Sequence, residues 1–372
     1  MKKLFTLLFL FLSIYHAKSQ IKNDSLEHRI RPDSLRTGEL YLDIYNFDYL
    51  RNYEFYNKIQ DGYTLYGLQL EPQLVYYIHP RLVVMAGANF RKDFGNDQIK
   101  TTPLFSIKYQ KKDFAFITGA LEGTVSHRFI EPLYDVERKI TDPVEYGTQF
   151  LITKPSLFFD GFIRWKKMIY KPSPEQEQIN AGISTDIRLL NSERFRLSLP
   201  VQMTVFHQGG QIDTVGKPLQ TLFNGAAGFD LKYQTFGFVK NVYTQNYFVY
   251  FNELSPTKIL PYSTGKGIYL NAGTDTKWGS LIASYWNANG FYSPYGMPIF
   301  QSESQQINHP GYSQKNRKLL FFRYAYQQPV VPHFFLDARF ETASDLGIEK
   351  KTDLYFSLFL VYKQDFRLVR KK

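Results

Sequence analysis

His127, Glu131 and Asp135 stand four residues apart in the segment His127-Arg128-Phe129-Ile130-Glu131-Pro132-Leu133-Tyr134-Asp135. An imidazole beside a carboxylate is the minimum equipment for acid–base hydrolysis: the ring accepts a proton, and the carboxylate orients the ring and stabilises its charged form. These three are the catalytic candidates of the chain. The competing reading is a loop without chemistry, anchored by hydrogen bonds and by Phe129, Ile130 and Leu133. No Gly-x-Ser-x-Gly elbow, phosphate-binding glycine loop or dinucleotide fingerprint accompanies them. There are 7 His and no Cys. His28, His79, His127, His207, His309 and His333 are dispersed without metal-ligand spacing, so neither a metal site nor a cofactor is expected.

A second constellation is electrostatic. Asp160, Arg164, Lys166, Asp186, Arg188, Arg196, Asp230, Lys232, Asp275, Lys277, Arg323, Asp337, Arg339 and Glu341 all fall on the polar side of alternating segments. Opposed rows of acidic and basic groups lining a pore select solutes by charge. The alternative is a salt-bridged plug with no path.

Both constellations depend on the elements that carry them. Ile179 to Leu189 alternates apolar or Thr with polar, charged or Gly at every step. That is the period of a strand with one apolar and one polar face. In strand 194–207, Phe195, Leu197, Leu199, Val201 and Met203 share one face, and Arg196, Ser198, Gln202 and Thr204 the other. Strand 332–342 sets Leu336, Ala338 and Phe340 against Asp337, Arg339 and Glu341. Sixteen such segments are predicted, near 38–47, 62–78, 81–92, 101–110, 113–123, 146–153, 156–168, 178–190, 194–207, 219–233, 238–251, 266–277, 279–289, 317–327, 332–342 and 352–363. Tight connections such as Gln110-Lys111-Lys112-Asp113 and Asn191-Ser192-Glu193-Arg194 alternate with longer ones at 124–145, 208–218, 252–265, 290–316 and 343–351. An even strand number with short turns at one end and long loops at the other is the pattern of a transmembrane antiparallel up-and-down β-barrel, apolar outside and polar inside. A soluble sandwich with the same faces would need far more core than one soluble barrel encloses.

The start of the chain agrees. Met1-Lys2-Lys3, the apolar run Leu4 to Leu12 and the small residues before Gln20 describe a secretory signal peptide over 1–19. Its removal takes Lys2, Lys3 and Lys18 from a formal charge of +11. No stretch is long and apolar enough for a membrane helix. Residues 20–37 are expected as a periplasmic lead-in and 38–372 as the barrel, with both termini periplasmic. Aromatic residues make up 17% of the chain, which suits interfacial girdles. The scatter of Lys and Arg among acids, and export, argue against nucleic acid as a partner.

On these features the chain resembles outer-membrane β-barrel proteins of Gram-negative bacteria. The segments His127–Asp135 and Gly290-Phe291-Tyr292-Ser293-Pro294-Tyr295-Gly296-Met297-Pro298 are similar to segments of uncharacterised porin-like barrels. The resemblance implies outer-membrane lipid and the barrel assembly machinery as partners. One departure is the end of the chain: many such barrels finish on an aromatic residue, whereas Phe366 is followed by Arg367-Leu368-Val369-Arg370-Lys371-Lys372. The leading expectation is a porin-like channel for small polar or charged solutes. The alternatives are a hydrolase at the outer rim around His127, and a non-conducting scaffold for a surface lipoprotein or periplasmic partner.

Overall fold

The computed structural model describes residue 21 and residues 23–371, so the expected signal peptide lies outside the described residues. Sixteen strands follow one another around a closed ring: β1 (Leu40–Glu54), β2 (Thr64–His79), β3 (Leu82–Asp93), β4 (Ile99–Lys111), β5 (Phe114–Ala120), β6 (Tyr146–Lys154), β7 (Leu157–Lys167), β8 (Gln178–Asn191), β9 (Phe195–Gln208), β10 (Gln220–Gln234), β11 (Val239–Glu253), β12 (Thr264–Thr276), β13 (Gly279–Asn289), β14 (Asn316–Val331), β15 (Phe334–Asp345) and β16 (Thr352–Val369). Every neighbouring pair is antiparallel, and β1 closes on β16 from Leu40↔Val369 to Glu54↔Leu354. Closure leaves no strand edge, which is the condition for placing a sheet in hydrocarbon. Both ends of the barrel chain lie at the end that carries the short turns.

Alternation decides which side chains face out. On β16, Asp353, Tyr355, Ser357 and Phe359 are buried inward while Leu354, Phe356 and Leu358 are exposed. On β15 the inward row is Asp337, Arg339, Glu341, and Phe340 lies on the outer wall. Ile183 is exposed outward on β8, whereas Ser184 is buried inward. Ile183→Arg should therefore destabilise the barrel by about 2–4 kcal/mol in lipid, if its depth is near the midplane. Reversible unfolding in lipid vesicles measures this, and unchanged stability would contradict a lipid-facing wall.

Pro72, Pro103, Pro200 and Pro329 sit inside strands without opening the ring, and Pro72 and Pro200 stand where the pairing has a gap. Pro72 faces β3 where the pairing skips from Leu70↔Phe90 to Gln73↔Gly87, and Pro200 faces β10 where it skips from Ala227↔Val201 to Asp230↔Ser198. The missing N–H falls at an unpaired rung in each case. Gly87 is needed beside the first: a Cβ there would lie 2.1 Å from the Pro72 carbonyl oxygen.

The lumen is filled by three pieces of the chain. The segment expected as a lead-in crosses the short-turn mouth inside the barrel. Ser25 Oγ donates to Asp337 (2.9 Å), Tyr45 OH donates to the Leu26 carbonyl (2.9 Å), His28 pairs with Asp43 (2.6 Å), and Lys108 Nζ donates to the Ile30 carbonyl (2.9 Å). The connections 121–145 and 290–315 fold inward from the opposite end. Phe129, Ile130, Leu133 and Tyr134 of the first meet Phe291, Tyr295, Met297 and Phe300 of the second in one apolar cluster, against Tyr53, Phe251, Tyr269, Trp286 and Tyr355 of the wall. The two loops also bond to each other, Asp135 N to the Tyr295 carbonyl (2.7 Å) and Met297 N to the Glu131 carbonyl (2.9 Å). Each large apolar side chain so buried contributes roughly 1.5–3 kcal/mol, so this plug is a core in its own right.

Candidate functional site

Loop 121–145 is built of turns with a single short helical turn, Arg138–Thr141, so residues four apart do not share a face. His127, Glu131 and Asp135 consequently point to three different neighbourhoods. Glu131 forms an ion pair with Arg323 Nη2 of β14 (2.7 Å) and accepts from Tyr269 OH (3.3 Å). Asp135 accepts from the Glu137 backbone N–H (2.9 Å). Burial, and then the neighbouring Glu137, push its carboxyl above the usual range. His127 finds other partners, Asp160 on β7 and Glu145 at the loop's end.

The geometry around His127 is closed on every side. Its Nδ1 lies 2.9 Å from Asp160 Oδ2 and its Nε2 lies 3.3 Å from Glu145 Oε2. The ring stacks on Phe162 at 3.9 Å between centroids. Gln149 Nε2 donates to Asp160 (2.9 Å). Glu145 Oε1 accepts from Thr124 N (3.0 Å), Thr124 Oγ1 (2.9 Å) and Tyr134 OH (3.0 Å). His127, Glu145, Gln149 and Asp160 are each 0% exposed. Burial alone would lower the imidazole's affinity for its proton, but the Asp160 and Glu145 carboxylates override it and hold the group at about 10. A ring with a carboxylate on each nitrogen has no lone pair to offer, no solvent contact and no hydroxyl nucleophile beside it. It fastens the loop to the wall.

That fastening is pH-dependent. A folded-state value near 10 against an ordinary 6.5 means the stabilisation is complete below about pH 6.5 and is lost as pH rises towards 10. Glu145 has its value depressed, because the imidazolium and Arg164 outweigh burial, so its share is lost as pH falls through the acid range. Limited proteolysis of loop 121–145 should accelerate between pH 7 and 10 in the wild type. A His127→Gln variant should cleave at the same rate across that window, and a flat wild-type profile would contradict the pairing.

The inward charges divide into pairs rather than open rows. Arg196 binds Asp230 (3.0 Å), Lys232 lies 3.6 Å from Asp275, Arg339 binds Asp337 (2.7 Å), Arg323 also reaches Glu341 (3.2 Å), and Arg164 binds Asp142 of the loop (2.7 Å). Asp186 and Arg188 sit towards the short-turn end, where Arg188 Nη1 donates to the Pro155 carbonyl (2.8 Å). Of the expected lumen residues, one lies off the strands and one at the rim of its inward row. Lys277 is exposed in the turn between β12 and β13, because the strand ends at Thr276. Lys166 is exposed at the long-loop rim, 3.9 Å from Asp142. Sequence reasoning missed Glu145, Gln149 and the role of Arg323, whose partners arrive from loops that no periodicity places. Among the described residues no group of His, Asp and Glu is arranged to hold a metal ion.

A closed sixteen-stranded wall with its apolar side chains outward defines an outer-membrane barrel. The chain belongs to the lipid A 3'-O-deacylase-type family, whose sequence profile matches residues 30–371. No curated protein matches it. Among solved structures, OprD from Pseudomonas aeruginosa is similar at a TM-score of 0.51 and 9% identity, over 91% of this chain and 100% of that one. A BenF-like porin from Pseudomonas fluorescens Pf-5 is similar at a TM-score of 0.51 and 8% identity, over 88% and 98%. At such identities the likeness is one of fold.

Proposed function

We propose that this protein is a closed outer-membrane barrel that works on lipid from its outer wall, removing an ester-linked acyl chain as the family's description says of lipid A. The filled lumen carries this reading: the lipid-facing wall and its long-loop rim are the surfaces a membrane amphiphile reaches. Purified protein in mixed micelles with lipid A should release free fatty acid and leave a product lighter by one acyl chain, read by mass spectrometry. His127→Gln, once folded, should keep that activity, since the ring anchors a loop. Release of no fatty acid from lipid A or phospholipid would overturn the reading, and loss of activity in folded His127→Gln would return His127 to the chemistry.

A second reading is a porin-like passage for small polar or charged solutes. It is favoured by the shared fold with porins and by the plug being made of chain segments rather than of the wall. Displacement of residues 21–36 or 121–145 would expose the paired charges of β9, β10 and β12. A non-conducting scaffold for a surface or periplasmic partner shares the filled lumen and predicts neither current nor hydrolysis.

A further inference from the structure

On the outer wall, at the long-loop end of β9 and β10, His207 and Thr221 are direct cross-strand partners, and His207 Nδ1 lies 3.0 Å from Thr221 Oγ1. The parity of β9 and β10 puts both on the face of Met203 and Phe229, two exposed apolar residues, and away from buried Thr204 and Leu222. Both are partly exposed, unlike His127. Of the imidazoles described, this one combines a hydroxyl within hydrogen-bond reach with a place on the lipid-facing wall. A hydroxyl bonded to an imidazole is the geometry of an activated nucleophile and its base.

A second feature of the wall lies directly below. The outward row of β10 runs Thr221, Phe223, Gly225, Ala227, Phe229. Gly225 is flanked by Met203 of β9 and Tyr250 of β11, and Ala227 by Val201 and Phe248. Met203, Tyr250 and Phe248 are exposed. The Phe223 ring folds over Gly225, 3.4 Å from where a Cβ would stand, so the row from Phe223 to Phe229 forms a continuous apolar surface beside the hydroxyl. An extended acyl chain lying along this surface would bring its ester to the level of Thr221.

We propose that Thr221 and His207 are the nucleophile and base of an ester hydrolase acting on an amphiphile of the outer leaflet, with the apolar row Phe223, Ala227 and Phe229 receiving the acyl chain. This rests on the hydrolase reading above and gives it a site. Thr221 Oγ attacks the ester carbonyl carbon and its proton passes to His207 Nδ1. The bond from the carbonyl carbon to the alcohol oxygen breaks, and that oxygen leaves with the proton from His207. Water then attacks the acyl-threonine ester, giving a proton to His207. Oγ departs and recovers that proton, and the fatty acid is released. The sum is ester plus water to acid plus alcohol.

The full chain, purified in detergent, is assayed on lipid A in mixed micelles and on a long-chain p-nitrophenyl ester. Thr221→Val and His207→Phe should each lower the rate by about 10²-fold or more, while Thr221→Ser retains activity and Lys318→Gln, exposed on β14 four strands away, leaves it unchanged. Heat-modified gel migration checks that each variant is a folded barrel. Phe223→Ser, which strips apolar surface beside the hydroxyl, should raise KM for long-chain esters more than for acetate esters. Acid-quenched wild type should carry an acyl group on the peptide containing Thr221. Wild-type hydrolysis that survives folded Thr221→Val, or an acyl group on another peptide, overturns this site while the hydrolase reading stands. No hydrolysis by wild type overturns both.

Discussion

Arg323→Ala is expected to cost about 3–5 kcal/mol, the range for removing one member of a buried charged network. The guanidinium ties three parts of the molecule together: Glu131 of the inserted loop (2.7 Å), Glu341 of β15 (3.2 Å) and Tyr269 of β12, whose hydroxyl accepts from Nη1 (3.0 Å). Its side chain is 1% exposed, so no water replaces it. Two carboxylates would be left facing each other without their cation, and the loop would lose its tether to the far wall. Arg323→Lys should recover only part, because an ammonium cannot reach all three partners in one plane. Denaturant unfolding in lipid vesicles reads the difference. A loss under about 1 kcal/mol would mean the loop is held elsewhere and the network is incidental.

The second large effect is on ion flow. Wild-type protein in a planar bilayer should carry no steady current, because the apolar cluster formed by the two inserted loops and the bonds of residues 23–30 to β1, β4 and β15 occupy the lumen. Replacing residues 126–142 and 292–313 by short Gly–Ser linkers removes the apolar cluster, deleting residues 23–36 clears the short-turn mouth, and a sixteen-stranded ring is wide enough to conduct once emptied. Current should then appear, with a mild anion preference from Arg164, Arg196, Arg323 and Arg339 that Asp160, Asp230, Asp337 and Glu341 partly offset. Steady current from the intact protein would favour the channel reading over the hydrolase.

Several features were legible from residue order alone. The alternation of Ile179–Leu189, Phe195–Met203 and Leu336–Glu341, with the rhythm of short and long connections, specified sixteen strands, their faces and the closed ring. A period of two has a single meaning when one face must meet lipid, so local pattern suffices. β1 was the exception: Tyr45, Phe47, Tyr49 and Tyr53 face inward, because protein rather than water lies on that side, and the pattern undercounted the strand.

The plug, and with it the roles of the polar residues, was decided by tertiary structure. Spacing put His127 with Glu131 and Asp135, but a loop of turns has no fixed period, and the ring's true partners are 18 and 33 residues away. His207 and Thr221 are 14 residues apart and become neighbours only through the register of β9 on β10. Strand pattern is a one-dimensional property that the solvent on each face enforces. Which charge meets which, and whether a lumen is open, depends on where long connections fold, and that is settled by packing between segments far apart in the chain.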